Sequence, residues 1–120
     1  MKTSQDPRHQ RRIKLMEQLF TLGFGQNSRS KAIGAIRPHL SDIDRRIQEA
    51  APEWPIEKIA KIDLAVLRLA LYELTATRKE PPKVIVDEAV ELAKEFGNDN
   101  SPKFINGVLG TILKKEGIQC

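Results

Sequence analysis

Residues 62–74 read Ile62-Asp63-Leu64-Ala65-Val66-Leu67-Arg68-Leu69-Ala70-Leu71-Tyr72-Glu73-Leu74. Together with Ile56 and Ile59, this run is apolar on nearly every side when wound as a helix, the pattern of an element surrounded by others. Trp54-Pro55 opens the segment, and what lies outside it is helical too. Asp6-Pro7 supplies an N-cap and the favoured first-turn proline. Ile13, Met16, Leu19 and Phe20 then recur at helical spacing until Gly23 and Gly25, predicting a helix over 7–23. Ser28 or Ser30 starts a second helix through Ala32, Ile33, Ile36 and Leu40. Pro38 kinks or ends it, because it lacks an amide hydrogen and crowds the carbonyl of Gly34. Ser41, with Asp44 three residues on, approximates a capping box ahead of Ile43, Ile47 and Ala50. Pro81-Pro82 opens a helix whose apolar face is Val84, Ile85, Ala89, Leu92, Ala93 and Phe96, with Gly97 as its C-cap glycine. Ser101-Pro102 repeats the cap-plus-proline signal for a last helix through Phe104, Ile105, Val108, Leu109, Ile112 and Leu113, ending near Gly117. The fold class read from this pattern is all-α: a bundle of about six helices around residues 62–74.

At 120 residues and 40% apolar content the chain fits one domain. The single cysteine, Cys120, is the last residue and closes no intrachain disulfide, and no apolar run is long enough to span a bilayer. No signal-peptide apolar core follows the basic start, so a cytoplasmic location is expected. The charge is asymmetric. Lys2, Arg8, Arg11, Arg12 and Lys14 stand against Asp6 in the first fourteen residues, and the remainder balances. A neutral body with a basic edge points to a polyanionic partner, whether RNA, DNA or an anionic membrane surface.

Nothing in the sequence reads as an enzyme. His9 and His39 lie in polar contexts with no cysteine or paired carboxylate at ligand spacing, so no metal or cofactor is expected and both are read as solvated surface. No phosphate-binding glycine loop, nucleophile elbow or dinucleotide fingerprint occurs.

Two constellations fit ligand binding. Arg8, Arg11 and Arg12 fall at i, i+3 and i+4, on one face of a helix, where guanidiniums grip phosphates bidentately. The alternative is a solvated helix start, but cations are disfavoured near a helix amino terminus and a polyanion offsets that cost. The second is Phe96-Gly97-Asn98-Asp99-Asn100-Ser101-Pro102-Lys103-Phe104, a polar loop with an aromatic at each end and a lysine in the following first turn. Splayed bases of single-stranded RNA stack on aromatics and hydrogen-bond to amides. Taken alone, Phe96 and Phe104 read as core residues flanking a helix break rather than as RNA ligands.

The central run, followed by Pro82-Lys83-Val84-Ile85-Val86-Asp87-Glu88-Ala89-Val90-Glu91-Leu92-Ala93-Lys94-Glu95-Phe96-Gly97 and Ser101-Pro102-Lys103-Phe104-Ile105-Asn106-Gly107-Val108-Leu109, resembles the bacterial transcription antitermination factor NusB family. The similarity covers residues 54–113 with specific motifs, and more weakly the arginine-rich first helix ending at Phe20. The resemblance implies a single NusB-like domain: a flexible basic arm at 1–6, an N-terminal helical subdomain at 7–52 and a C-terminal one at 53–117. It implies a non-enzymatic RNA-binding protein that pairs with the small-subunit ribosomal protein serving as NusE. With that partner it would bind boxA-type single-stranded RNA in ribosomal RNA leaders, and reach other Nus factors and RNA polymerase indirectly. No membrane is involved. Carried over by position, the RNA face comprises Arg8, Arg12, Phe20, Phe96, Asn100, Lys103 and Phe104, to which the arm adds Arg11. The partner face draws on Glu57 and Asp63.

The chain departs from the family pattern. Some twenty residues usual between the first helix and the segment matching 33–54 are missing, leaving a shortened N-terminal subdomain. His9 and Gln10 stand where arginine is common, and Phe20 lacks the hydroxyl of the usual tyrosine. Two other functions fit the resemblance: a protein-binding helical adaptor that no longer holds RNA, and a separately encoded NusB-like domain of a ribosomal RNA cytosine methyltransferase. The chain leaves no room for the methyltransferase's cofactor domain. Arg68 is read as a partly buried base paired with Glu88 or Glu91. Asn106 and Gly107 are read as allowing close helix packing or hydrogen bonding, and Tyr72 as a buried ring with a hydrogen-bonded hydroxyl.

Overall fold

Six α-helices form among residues 6–25 and 30–119, which are those described in the computed structural model of the chain. They are α1 (Pro7–Leu22), α2 (Lys31–Ile36), α3 (Leu40–Ala50), α4 (Lys61–Tyr72), α5 (Pro82–Phe96) and α6 (Ser101–Glu116), with no strand among the described residues. Lys2 and the rest of 1–5, Ser28 and Cys120 lie outside them.

The central helix is α4. Leu64–Leu67, Leu69, Ala70 and Leu71 are all buried, and α4 packs against α1, α3, α5 and α6. Its apolar all-round pattern is satisfied because a neighbour lies on every side. Ile33, Ile36, Ile43 and Ile47 from α2 and α3, Ile85 and Leu92 from α5, and Ile105 and Leu109 from α6 complete one core. No helix among the described residues is long and apolar enough to cross a membrane.

Local chemistry explains the helix ends and corrects several expectations. Asp6 caps α1, its carboxylate accepting from the Arg8 amide at 2.8 Å, and Ser30 caps α2 through the Ala32 amide. Ser41 is no cap, because Pro38 is absorbed in a 3₁₀ turn at Arg37–His39 that leads directly into α3 at Leu40. Proline in a first turn gives up an amide that is unpaired anyway. The segment opened by Trp54-Pro55 is not one helix either: a single 3₁₀ turn at Ile56–Lys58 is followed by extended backbone at Ile59 and Ala60, and α4 begins only at Lys61. Beyond Tyr72 the helix widens into a π turn over Glu73–Thr77, ended by Arg78 at φ 52°.

Gly97 closes α5 as its C-cap, its amide donating to the Ala93 carbonyl at 2.9 Å, but with extended rather than left-handed backbone. The glycine is needed for space instead. A Cβ there would collide with the Ser101 hydroxyl and lie 2.8 Å from the Ala93 carbonyl. Ser101 is correspondingly the first residue of α6 rather than its cap, and it is buried. Its hydroxyl accepts from the Asn98 amide at 3.0 Å and, close to the Asp63 carboxylate, favours that group's ionised form. Arg68 is half-buried as expected, but its partner is Asp44 on α3, at 2.9 and 2.8 Å, not Glu88 or Glu91 on α5. Gly107 meets nothing within 4 Å of a notional Cβ, and Asn106 is exposed beside it, so neither serves close helix packing.

Candidate nucleic-acid interface

The three arginines of α1 do not share one role. Arg8 is exposed, with Asp6 at 3.5 Å and Glu80 at 3.2 Å. Arg11 is exposed and has no ion pair among the described residues. Arg12 is turned into the protein and only 8% exposed. Its Nε and Nη2 donate to the two oxygens of Glu73, both at 2.8 Å, and Nη1 lies 3.7 Å from Glu88. The fork geometry that makes arginine a phosphate ligand is here filled by a carboxylate of the same chain. The i, i+3, i+4 spacing placed three guanidiniums correctly along the helix; the packing of Glu73 beneath α1 removes one of them from the surface.

His9 is a second correction, since it is buried rather than solvated. Its Nδ1 lies 2.9 Å from Glu88 and its Nε2 2.8 Å from Glu95. His39 is exposed, its ring tilted against Tyr72 with centroids 5.5 Å apart.

Two concavities flank the start of α6. The larger, about 890 Å³, runs between α1, α5 and α6 and is lined by Asp6, Arg8, Asp87, Val90, Glu91, Lys94, Pro102, Lys103 and Asn106. The arm and the 96–104 loop, read separately in the sequence, thus contribute Arg8 and Lys103 to one groove. Lys94 lies 3.6 Å from Glu91, whereas Lys103 has no ion pair among the described residues. Lys94 and Asn106 were not read as site residues. The i+4 spacing from Val90 to Lys94 put the lysine on the flank of the apolar face, but only the position of α1 decides that this flank borders the groove.

The smaller concavity, about 400 Å³, is lined by Trp54, Lys58, Ile59, Ala60, Asp63, Asn98, Asn100 and Phe104. The Trp54 and Phe104 rings meet edge to face, with centroids 6.1 Å apart and planes at 74°. Asp63 forms its inner wall, largely buried, with Oδ1 lacking a hydrogen-bond partner. Burial pushes the Asp63 carboxyl above its ordinary value, and the Ser101 hydroxyl partly opposes that. This pocket joins residues expected on two different faces, Asp63 on the partner side and Asn100 and Phe104 on the RNA side. Trp54 is the residue sequence reasoning missed. It was read as a segment start, and its 48% exposure, unusual for so large an apolar ring, belongs to the pocket rim.

Other expected residues lie apart. Arg8 and Arg11 also border a separate concavity with Tyr72 and Lys79. Phe20, half-buried near the end of α1, stacks edge-on with Phe24 at 5.0 Å and lines neither groove beside α6. Phe96 is exposed at the end of α5, and Glu57 is exposed on the 3₁₀ turn before α4. Among the described residues no three His, Cys, Asp or Glu side chains are grouped to hold a metal ion.

Comparison with known proteins is consistent with this architecture. The NusB family model matches residues 26–114. "Transcription antitermination protein NusB" of Chloroflexus aggregans is 54% identical over 79 residues, covering 64% of this chain and 53% of that protein. The chain therefore spans about half the length of that relative. The NusB of Lysinibacillus sphaericus is 34% identical over 125 residues, covering 91% of this chain and 98% of its own. Among solved structures, T. maritima NusB superposes with a TM-score of 0.81 at 34% identity, over 96% of this chain and 94% of that one. A chain in the "Crystal Structure of a Plectonemic RNA Supercoil" has the same TM-score, 0.81, at 21% identity, and shares the fold. With its central α4, its sequence and its backbone all in agreement, the chain belongs to the NusB family.

Proposed function

We propose that this protein is a non-enzymatic RNA-binding antitermination factor. It holds boxA-type single-stranded RNA of ribosomal RNA leaders together with a small-subunit ribosomal protein acting as NusE. The observation that carries this reading is the convergence of Arg8 and Lys103 on one open groove that runs beside the Trp54–Phe104 pocket. Phosphates passing along the groove meet cations from two helices, while a base turned toward the pocket meets aromatic edges and the amides of Asn98 and Asn100. The charge gives attraction and rate; the pocket gives selectivity.

The groove is only moderately basic, since Asp6, Asp87 and Glu91 share its walls. RNA affinity of the chain alone is therefore modest, and the exposed Glu57 and the Asp63 side of the pocket recruit the protein partner that completes the site. With about three to five phosphates neutralised, log affinity falls with log salt at a slope of about −2 to −3.5. Fluorescence anisotropy of a boxA-type RNA, titrated with this protein, with the ribosomal protein and with both, tests the proposal. Preference for boxA over a scrambled sequence, strongest with both proteins, supports it. Equal binding of the two RNAs in every combination identifies a protein-binding adaptor instead.

A further inference from the structure

His9 occupies the first turn of α1 with almost no exposure, and each ring nitrogen faces a different carboxylate of α5: Nδ1 lies 2.9 Å from Glu88 Oε2 and Nε2 2.8 Å from Glu95 Oε1. Glu88 and Glu95 are seven residues apart, two turns along one face of α5, so the ring bridges them. An ionised carboxylate only accepts hydrogen bonds. With both carboxylates ionised, both ring nitrogens donate, and of the forms of histidine only the imidazolium does so. Either neutral tautomer would turn a lone pair toward a carboxylate oxygen at hydrogen-bond distance.

The surrounding charges reinforce this requirement. From α5 come Glu88 and Glu95. From α1 itself comes Arg12, 3.7 Å from the second oxygen of Glu88, and from the turn after α4 comes Glu73, which holds the Arg12 guanidinium. With His9 protonated, two cations stand among these three carboxylates. With His9 neutral, one of these two cations is lost from a site where Glu88 and His9 are shielded from solvent.

We propose that protonated His9 is a clamp that docks the first turns of α1 onto α5, and that losing its proton loosens this end of the helix. Its consequence for RNA, the positioning of Arg8 across the groove from Lys103, rests on the function proposed above. The hydrogen bond that the ring donates to Glu88, followed by that to Glu95, holds the His9 pKa above its ordinary 6.5, against the opposing effect of burial. A group whose pKa is raised on folding contributes stability that is complete below its unfolded value. The clamp is thus fully closed below pH 6.5 and is lost as pH rises through the elevated folded value. The loss in folding equilibrium is about tenfold for each pH unit by which the folded pKa exceeds the unfolded one.

The test compares the full chain with His9→Arg, which keeps a cation that does not titrate, and with His9→Gln, which removes it. The His9 ring is titrated by NMR, and urea midpoints are measured from pH 5.5 to 9 without RNA. The proposal expects His9 to titrate above 6.5, wild type to lose stability relative to His9→Arg as pH rises, and His9→Gln to be weak throughout. The stability lost should match the NMR elevation. Titration at or below 6.5, or parallel pH profiles for wild type and His9→Arg, would overturn it. Anisotropy with boxA-type RNA at pH 6 and 8.5 adds the functional readout: wild type should weaken several-fold relative to His9→Arg. Identical pH dependence of RNA binding in the two proteins overturns the positioning role. A clamp intact by NMR and stability in a protein that binds no RNA at either pH upholds the clamp and rejects the RNA-binding reading.

Discussion

Replacing Arg12 distinguishes a structural from a ligand-binding arginine in α1. Arg12→Met retains the aliphatic stem against Leu69 and Ala70 but removes the cation between Glu73 and Glu88. The side chains of Arg12, Glu73 and Glu88 are 9%, 16% and 3% exposed, so water replaces the lost partner poorly. Breaking a buried ion pair from one side costs about 3–5 kcal/mol, and the partial exposure of Glu73 places this case near about 3 kcal/mol. With a urea m-value of about 1.5 kcal/mol/M for a domain of this size, the unfolding midpoint should fall by about 2 M. The double variant Arg12→Met/Glu73→Leu also removes Glu73, the more tightly paired of the two carboxylates left behind, so it should recover part of the loss. Equilibrium urea unfolding of wild type, both single variants and the double variant gives the full cycle. A midpoint for Arg12→Met within about 0.3 M of wild type, joined to a loss of RNA affinity as large as that of Arg11→Ala, would refute the structural assignment.

Other substitutions probe the surroundings of the pocket. Gly97→Ala forces a Cβ into the Ser101 hydroxyl and should destabilise by about 1–3 kcal/mol in urea unfolding, whereas Gly107→Ala, open to solvent, should leave the midpoint unchanged or slightly raised. Arg68→Ala breaks the two hydrogen bonds to Asp44 and should cost about 2 kcal/mol in urea unfolding, whereas Glu91→Gln, exposed on α5, should leave the midpoint nearly unchanged. Asp63→Asn relieves a carboxylate whose pKa burial has raised. A raised carboxyl favours the folded state below its ordinary 3.8 and loses that advantage as pH climbs through the elevated value, so at pH 7 the variant should gain up to about 1 kcal/mol in urea unfolding.

The helices were legible because their signals are local. Asp6-Pro7, Pro81-Pro82 and the predominantly apolar run of α4 each specify backbone conformation within a few residues. What the sequence left open depends on which helix lies alongside which. Arg68 had acidic candidates on α5, but α5 turns Glu88 toward His9 and Arg12, leaving Asp44 on α3 as the partner. His9 looked solvated because its neighbours in sequence are polar, while its real environment is supplied by residues 79 and 86 positions later. Ser101 carried the composition of a cap but is buried, its hydroxyl accepting from the Asn98 amide beside the Asp63 carboxylate. Trp54 escaped notice because a tryptophan before a proline marks a boundary, and only its contact with Phe104 makes it part of a pocket.

The split site itself is the central claim, and separating its two halves tests it most directly. Anisotropy titrations of boxA-type and scrambled RNA, with the ribosomal partner present, should be run on wild type, Arg8→Ala/Lys103→Ala and Phe104→Ala. The groove variant should weaken both RNAs alike and flatten the salt slope by about 1–2, whereas Phe104→Ala should lower affinity for boxA alone by about 1–3 kcal/mol, bringing it toward the scrambled RNA. Equal loss for both RNAs in the Phe104 variant, or an unchanged salt slope in the groove variant, would contradict the account.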